Sequence, residues 1–374
     1  MTDGDALLAL QRHPAARALL GPALAGDASP SHAYLFHGPG GAGKRSAARA
    51  FAGRLLSEGV ADPDRARARV ESGAHPDLTW VTPSGAHEIL VSDVDAPVVA
   101  AASRTPFEAS RRVFVIERVD ELGDEAANRM LKTLEEPAPF VHLILITDRV
   151  ADVLPTISSR CLQVRFEPPS IAAIAEEIAA TGMSADTALA CARLAIGDAS
   201  RARELASERG LELRLAGERF ARRALAGDTG EPVPWQPLMS AARARGELVS
   251  DELEQAQAAD LEMYPRRERK RAESVWTDRI RRSRRRSETA TLDLGLQMTS
   301  LWFGDLLALA HGADELIRNV DRRDDLAEDA GVKPSRLLDA IELVEDTRVR
   351  FSLNVGEELA LEALAYSLED VLAR

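Results

Sequence analysis

The apolar run Ala33-Tyr34-Leu35-Phe36 is followed at once by His37-Gly38-Pro39-Gly40-Gly41-Ala42-Gly43-Lys44-Arg45 and then by an alanine-rich helical pattern from Ser46 to Leu56. Few arrangements restrict a fold as strongly. A short apolar strand, a glycine-rich turn closing on Gly-Lys and a helix starting there gather backbone N–H groups and one lysine around a phosphate, which is the order of a P-loop. Gly38, Gly40, Gly41 and Gly43 permit that backbone, and Lys44 supplies the charge for the terminal phosphates. Arg45 departs from the pattern, which asks for a Ser or Thr hydroxyl on magnesium. A guanidinium has donors and no acceptor, so it cannot ligate the metal. Ser46 does not replace it, because one helical residue turns a side chain by roughly 100° about the axis. Two readings stay open: the loop still cradles ATP or ADP at a degraded site, or it is kept as a folded turn.

The flanking sequence predicts the rest of an α/β domain. Leu78 to Val81, Val113 to Ile116, Val141 to Thr147 and Leu162 to Phe166 read as four further strands, two of them continuously apolar as in a parallel sheet covered on both faces. Helical patterns run over residues 6–25, 91–103 and 124–136, the last stopped by Pro137. The expected fold is therefore an α/β P-loop core with a five-stranded, mostly parallel sheet, over residues 1–167. After Pro168-Pro169 strand signals cease. A small helical domain is expected over 168–226, then a Gly/Pro-rich linker from Gly227 to Pro234, then an all-helical domain over 227–374 with patterns at Leu292 to Leu309, Ser335 to Ser352 and Gly356 to Leu372.

Charge and cysteine usage narrow the classes. The net charge is −13, yet Arg266, Arg267, Arg269, Lys270, Arg271, Arg279, Arg281, Arg282, Arg284, Arg285 and Arg286 crowd into residues 266–286. Clustered arginine suits nucleic-acid phosphates; without interleaved aromatics beyond Trp276 it equally suits a long exposed helix with solvated or paired charges. The cysteines, Cys161 and Cys191, lie far apart in sequence and form neither a disulfide framework nor a zinc motif. No apolar run approaches the ~18 residues of a membrane span, and the acidic start Met1-Thr2-Asp3-Gly4-Asp5 is unlike a secretory leader. The expectation is a cytoplasmic protein without membrane contact.

Four segments carry a resemblance: His32 to Gly40 before Gly43-Lys44, His75-Pro76-Asp77, Asn128-Arg-Met-Leu-Lys-Thr-Leu-Glu-Glu-Pro137, and Leu154-Pro-Thr-Ile-Ser-Ser-Arg-Cys161. Together they resemble the bacterial DNA polymerase III clamp-loader family of the AAA+ superfamily. The C-terminal segment Asn354 to Ala363 and Trp302-Phe-Gly-Asp-Leu-Leu307 are similar to the collar of its delta-prime branch, although Gly304 stands where that branch usually has Arg. The resemblance implies an AAA+ core, a helical lid and an oligomerising collar. It also implies work in DNA replication within a hetero-oligomeric ring, with gamma/tau and delta subunits as partners and the sliding clamp and primer-template DNA engaged through the complex.

The family's roles carry over unevenly. An active motor would end the strand at 113–116 in Asp-Glu, for the metal and for the attacking water; Glu117-Arg118 stands there. Asp120-Glu121 lies about a turn further on, where acidic residues commonly favour a helix N-terminus. Arg160, in an intact Ser-Arg-Cys, matches the family's arginine finger, which reaches a neighbouring subunit's ATP. Thr147 matches a polar sensor for the γ-phosphate, and equally a strand end. In the lid Ser200, not Arg201, falls where active relatives carry a nucleotide-sensing arginine. The family's zinc module has no cysteine here; a short charged helix over Asp62 to Arg69 is expected in its place, with no zinc. The resemblance thus implies a largely non-hydrolysing, delta-prime-like subunit of the polymerase holoenzyme that acts through Arg160. The alternative is a hydrolysing gamma/tau-like subunit using Glu117 or Asp120 for the metal. A stand-alone DNA-binding protein is a third reading.

Overall fold

The computed structural model describes residues 10, 13–83, 89–263, 266–351 and 356–373, with side chains left undescribed at 259–260, 262–268, 271–272, 275 and 373. The leading residues 1–9 and Asn354-Val355 of the C-terminal motif lie outside them. The chain divides into two units, Met1–Pro169 and Ser170–Arg374.

Unit 1 holds α1 (Pro14–Ala25), β1 (Ala33–His37), α2 (Lys44–Ser57), α3 (Pro63–Glu71) and β2 (Leu78–Val81). Next come α4, which starts at Val91–Val94 and runs through a π turn (Asp95–Val99) into Ala100–Ala102, then β3 (Arg112–Glu117) and α5 (Asp124–Glu135). β4 (Val141–Thr147), α6 (Pro155–Ser158) and β5 (Leu162–Arg165) complete it. The strands pair in the order β2-β3-β4-β1-β5, every pairing parallel. All residues of β3 and β4 are buried, as continuous apolar runs in a parallel sheet require. One face packs on α1, α2 and α3 through Leu20, Phe51, Leu55 and Val70. The other packs on α4 and α5 through Val94, Val98, Met130 and Leu134. The expected charged helix is α3, whose N-cap Asp62 accepts a hydrogen bond from Arg65 N at 3.0 Å.

The His-Pro-Asp segment is a structural clasp. The fully buried Asp77 carboxylate accepts from the backbone N–H groups of Phe107, Glu108 and Ala109 at 2.6, 2.9 and 3.0 Å, fixing the loop that feeds β3.

Unit 2 is helical: α7 (Ile171–Ala179), α8 (Ala185–Leu194), α9 (Ala199–Ala206), α10 (Glu208–Leu225), α11 (Gln236–Met263), α12 (Arg266–Ala310), α13 (Arg323–Glu328), α14 (Pro334–Phe351) and α15 (Glu357–Ala373). One apolar cluster runs from Ile174 on α7 to Leu372 on α15, so lid-like and collar-like helices share a core. Arg214 on α10 ties them further, donating to Asn319 and Asp321. The arginine run and the apolar pattern at 292–309 belong to one 45-residue helix, α12. Residues 266–294 contain neither Gly nor Pro to break it. Gly295 sits where a Cβ would lie 2.6 Å from Leu238, so the residue permits close helix approach. No helix among the described residues is long and apolar enough to cross a membrane.

At the sheet edge remote from the glycine loop, the His32 and His142 rings stack with centroids 5.6 Å apart. His142 Nδ1 donates to Ser31 O at 2.8 Å, and burial pushes the ring's pKa down to about 4. The unfolded chain therefore binds this proton near pH 6.5 and the folded chain does not, so the stabilisation is present at neutral pH and is lost as pH falls toward 4. We expect the stability difference between wild type and His142→Asn, followed by urea unfolding, to shift against wild type by up to about 3 kcal/mol from pH 7 to pH 4. A pH-independent difference would contradict this.

Candidate active site: a phosphate loop closed by its own side chains

The C-terminal edge of the sheet gathers the sequence-predicted residues. In register His37 faces Thr147 across the β1–β4 pair, and Glu117 faces Ile146 across β3–β4. The P-loop, the end of β3 and Thr147 thus share the edge where open α/β sheets bind ligands.

The loop geometry is specific. Gly38 has φ 142°, and a Cβ there would lie 2.2 Å from Phe166 O, so only glycine fits. Gly41 and Gly43 also have positive φ, and Gly43 opens α2. Lys44 is buried, and its ammonium donates to Gly38 O and Pro39 O, both at 2.6 Å, while Asp148 Oδ1 lies 2.6 Å away. Three contacts match the three ammonium protons. The lysine is spent on its own loop and on Asp148, so gripping a phosphate requires giving these up.

Arg45 does more than remove a hydroxyl. Its Nε donates to Glu117 Oε2 at 2.7 Å, and Nη2 contacts the same oxygen. Glu117 Oε1 accepts from Trp80 Nε1 at 2.6 Å, with Arg49 stacked 4.8 Å from the Trp80 ring. The buried carboxylate at the end of β3, which in a motor joins the metal shell, thus has both oxygens occupied. The Arg45 guanidinium thus lies on the carboxylate that the P-loop pattern assigns to a divalent cation. Ser46 points into solvent, on a different side of α2.

Arg118 adopts the left-handed region at φ 54° and pairs with Glu121. Asp120, whose side chain is 3% exposed, accepts from Thr147 Oγ1 at 2.7 Å and from Arg149 Nε and Nη2 at 3.0 and 2.8 Å. Thr147 Oγ1 also accepts from Arg149 N at 2.9 Å, so this hydroxyl anchors the turn after β4. His37, beside the loop, has its pKa lowered by burial and then by the charges of Arg165 and Lys44.

Arg160 lies apart from this cluster, just beyond α6. Its Nε donates to Glu135 Oε1 at 2.9 Å and its Nη1 to Thr156 O at 2.8 Å, and its side chain stays 35% exposed. Next to it, burial pushes the Cys161 thiol up to about 12, which keeps it from forming a reactive thiolate. In unit 2, Arg201 donates to Gln297 Oε1 at 2.9 Å. Along α12, Arg279 stacks on Trp276, and Arg281, Arg284 and Arg285 pair with Asp278, Glu288 and Glu357. Three of these arginines thus have a carboxylate partner within the chain.

Residues 17–170 match the family model described as "DNA polymerase III, delta subunit". The N-terminal unit is similar to the delta-prime-like clamp-loader family. The DNA polymerase III subunit delta' of Pseudomonas aeruginosa is 35% identical over 161 residues, 42% of this chain and 49% of that protein. Its Bacillus subtilis counterpart is 38% identical over 152 residues, 40% of this chain and 46% of that protein. Subunit tau of Escherichia coli is 32% identical over 155 residues, 39% of this chain and 23% of tau. The chain spans about half the length of the delta-prime relatives it matches.

Trp80, Asp148 and Glu135 were not singled out from sequence. Asp148 had one available signal, its place directly after Thr147 at the end of β4. Trp80 had none, because its partner Glu117 is 37 residues away.

The Arg45–Glu117 pair makes a stability prediction for the delta-prime-like domain. Arg45→Met leaves a buried carboxylate with Trp80 alone, and we expect a loss of about 2 kcal/mol, reduced from the fully buried case by the exposure of Arg45. Adding Glu117→Gln should recover most of it. Hydrogen exchange of the β3 and β4 amides reads both; equal protection in wild type and Arg45→Met would count against the pair.

Proposed function

We propose that this chain is a delta-prime-like clamp-loader subunit that does not itself hydrolyse ATP and that lends Arg160 to the nucleotide of an adjacent gamma/tau-type subunit. In this reading it works in the cytoplasm beside gamma/tau and delta subunits, in an assembly that places the sliding clamp on primed DNA. The observation that carries the reading is the Arg45 guanidinium on Glu117, which occupies the carboxylate a magnesium ion would need. Lys44 donates to Gly38 O and Pro39 O and lies beside Asp148, contacts that a phosphate on this lysine would displace. ATP or ADP binding would need those contacts exchanged, and zinc has no part in the reading.

Arg160 supplies the positive part. A finger stabilises charge developing on the transferred phosphoryl group and needs only to reach the surface in a fixed orientation. The names of the relatives, delta-prime and tau, agree with a place in such a complex. The rival reading, a hydrolysing gamma/tau-like subunit, needs Glu117 or Asp120 for the metal. Against it stand the Arg45 and Trp80 contacts of one and the Thr147 and Arg149 contacts of the other. A stand-alone DNA-binding role draws on the α12 arginines, and their intramolecular pairing weakens it.

The test is reconstitution with gamma/tau and delta subunits. We expect Arg160→Ala to fold and assemble normally and to slow ATP turnover by the complete loader at least about tenfold. Unchanged turnover in the mutant assembly would overturn the finger assignment.

A further inference from the structure

Arg160 does not hang free from unit 1. Its Nε donates to Glu135 Oε1 at 2.9 Å, and Nη2 lies 2.5 Å from the same oxygen. From the other side, Nη1 donates to Thr156 O on α6 at 2.8 Å and reaches Ser159 Oγ at 3.4 Å. The guanidinium plane is thus held between the last residue of α5 and the α6 turn, while its side chain remains 35% exposed. Glu135 is itself 47% exposed.

An ion pair so open to water adds little to the stability of a fold. What it does is remove rotational freedom from a long flexible side chain. A charged group that must meet a transition state gains most when its orientation is set before the encounter, because ordering it during reaction is part of the barrier. The inner face of α5, formed by Ala126, Ala127, Met130 and Leu134, is locked into the sheet, so Glu135 is presented from a rigid element.

We infer that Glu135 is a positioning residue for Arg160, holding the guanidinium in the orientation in which it meets a phosphoryl group on a neighbouring subunit. The inference rests on the proposed reading of Arg160. Glu135 touches no nucleotide; it acts through the arginine.

The experiment is the reconstituted complete loader carrying Glu135→Ala, Glu135→Gln, Arg160→Ala or Glu135→Ala with Arg160→Ala, read by kcat and KM for ATP, by assembly and by melting temperature. Glu135→Ala should lower kcat about tenfold with KM, assembly and melting unchanged. Glu135→Gln keeps an acceptor oxygen for Nε and should recover most of the rate. In the Arg160→Ala background Glu135→Ala should have no further effect. Wild-type or faster turnover in Glu135→Ala, while Arg160→Ala is slow, overturns the role of Glu135 and leaves the finger standing. A drop in assembly or melting that matches the drop in rate also overturns it, in favour of a structural role. If Arg160→Ala itself turns over normally, the finger reading is what fails.

Discussion

The contact on which the rest of the site depends is the one between Arg45 at the start of α2 and Glu117 at the end of β3. In the P-loop pattern these two positions serve one magnesium ion from opposite sides, with a hydroxyl and a carboxylate. Here a guanidinium replaces the hydroxyl and reaches the carboxylate directly. Arginine stays charged under all ordinary conditions, so the buried Glu117 carboxylate is satisfied permanently rather than only when metal is bound. Trp80 takes the second oxygen. Lys44 and Asp120 follow the same logic, each with its charge met by near neighbours in the loop or the turn after β4.

The sheet explains why such a closed site keeps its shape. Parallel strands place β1, β3 and β4 with their C-terminal ends together, and the apolar layers on both faces fix them there. Gly38 must pass against Phe166 O whether or not a phosphate is present, so the glycines are a requirement of the backbone. The backbone of the phosphate loop is therefore set by packing against Phe166, independently of the side chains at Lys44 and Arg45. Arg160 sits outside this edge cluster, held by Glu135 at the end of α5 and by Thr156 on α6.

Much of the fold was legible in the sequence because it depends on local order. The five strands lie within a residue or so of their apolar runs, and Pro137, Asp62 and Gly43 mark helix ends by chemistry that neighbours alone decide. The individual departures at Arg45 and Arg118 were equally visible. What sequence could not reveal was that Arg45 answers Glu117, because 72 residues and a sheet register separate them. The same holds for Trp80 with Glu117 and for Glu135 with Arg160. The continuity of α12 was missed for another reason: its first half buries none of its described side chains, so the apolar pattern begins only near Leu292, although nothing in residues 266–294 breaks the helix.

If Arg45 holds the metal position of this loop, the purified chain alone has no route to magnesium-dependent hydrolysis. The direct measurement is ATP turnover by the isolated protein with saturating magnesium, beside a Lys44→Ala variant. The expected result is turnover no greater than that of Lys44→Ala; magnesium-dependent turnover that Lys44→Ala abolishes would contradict it.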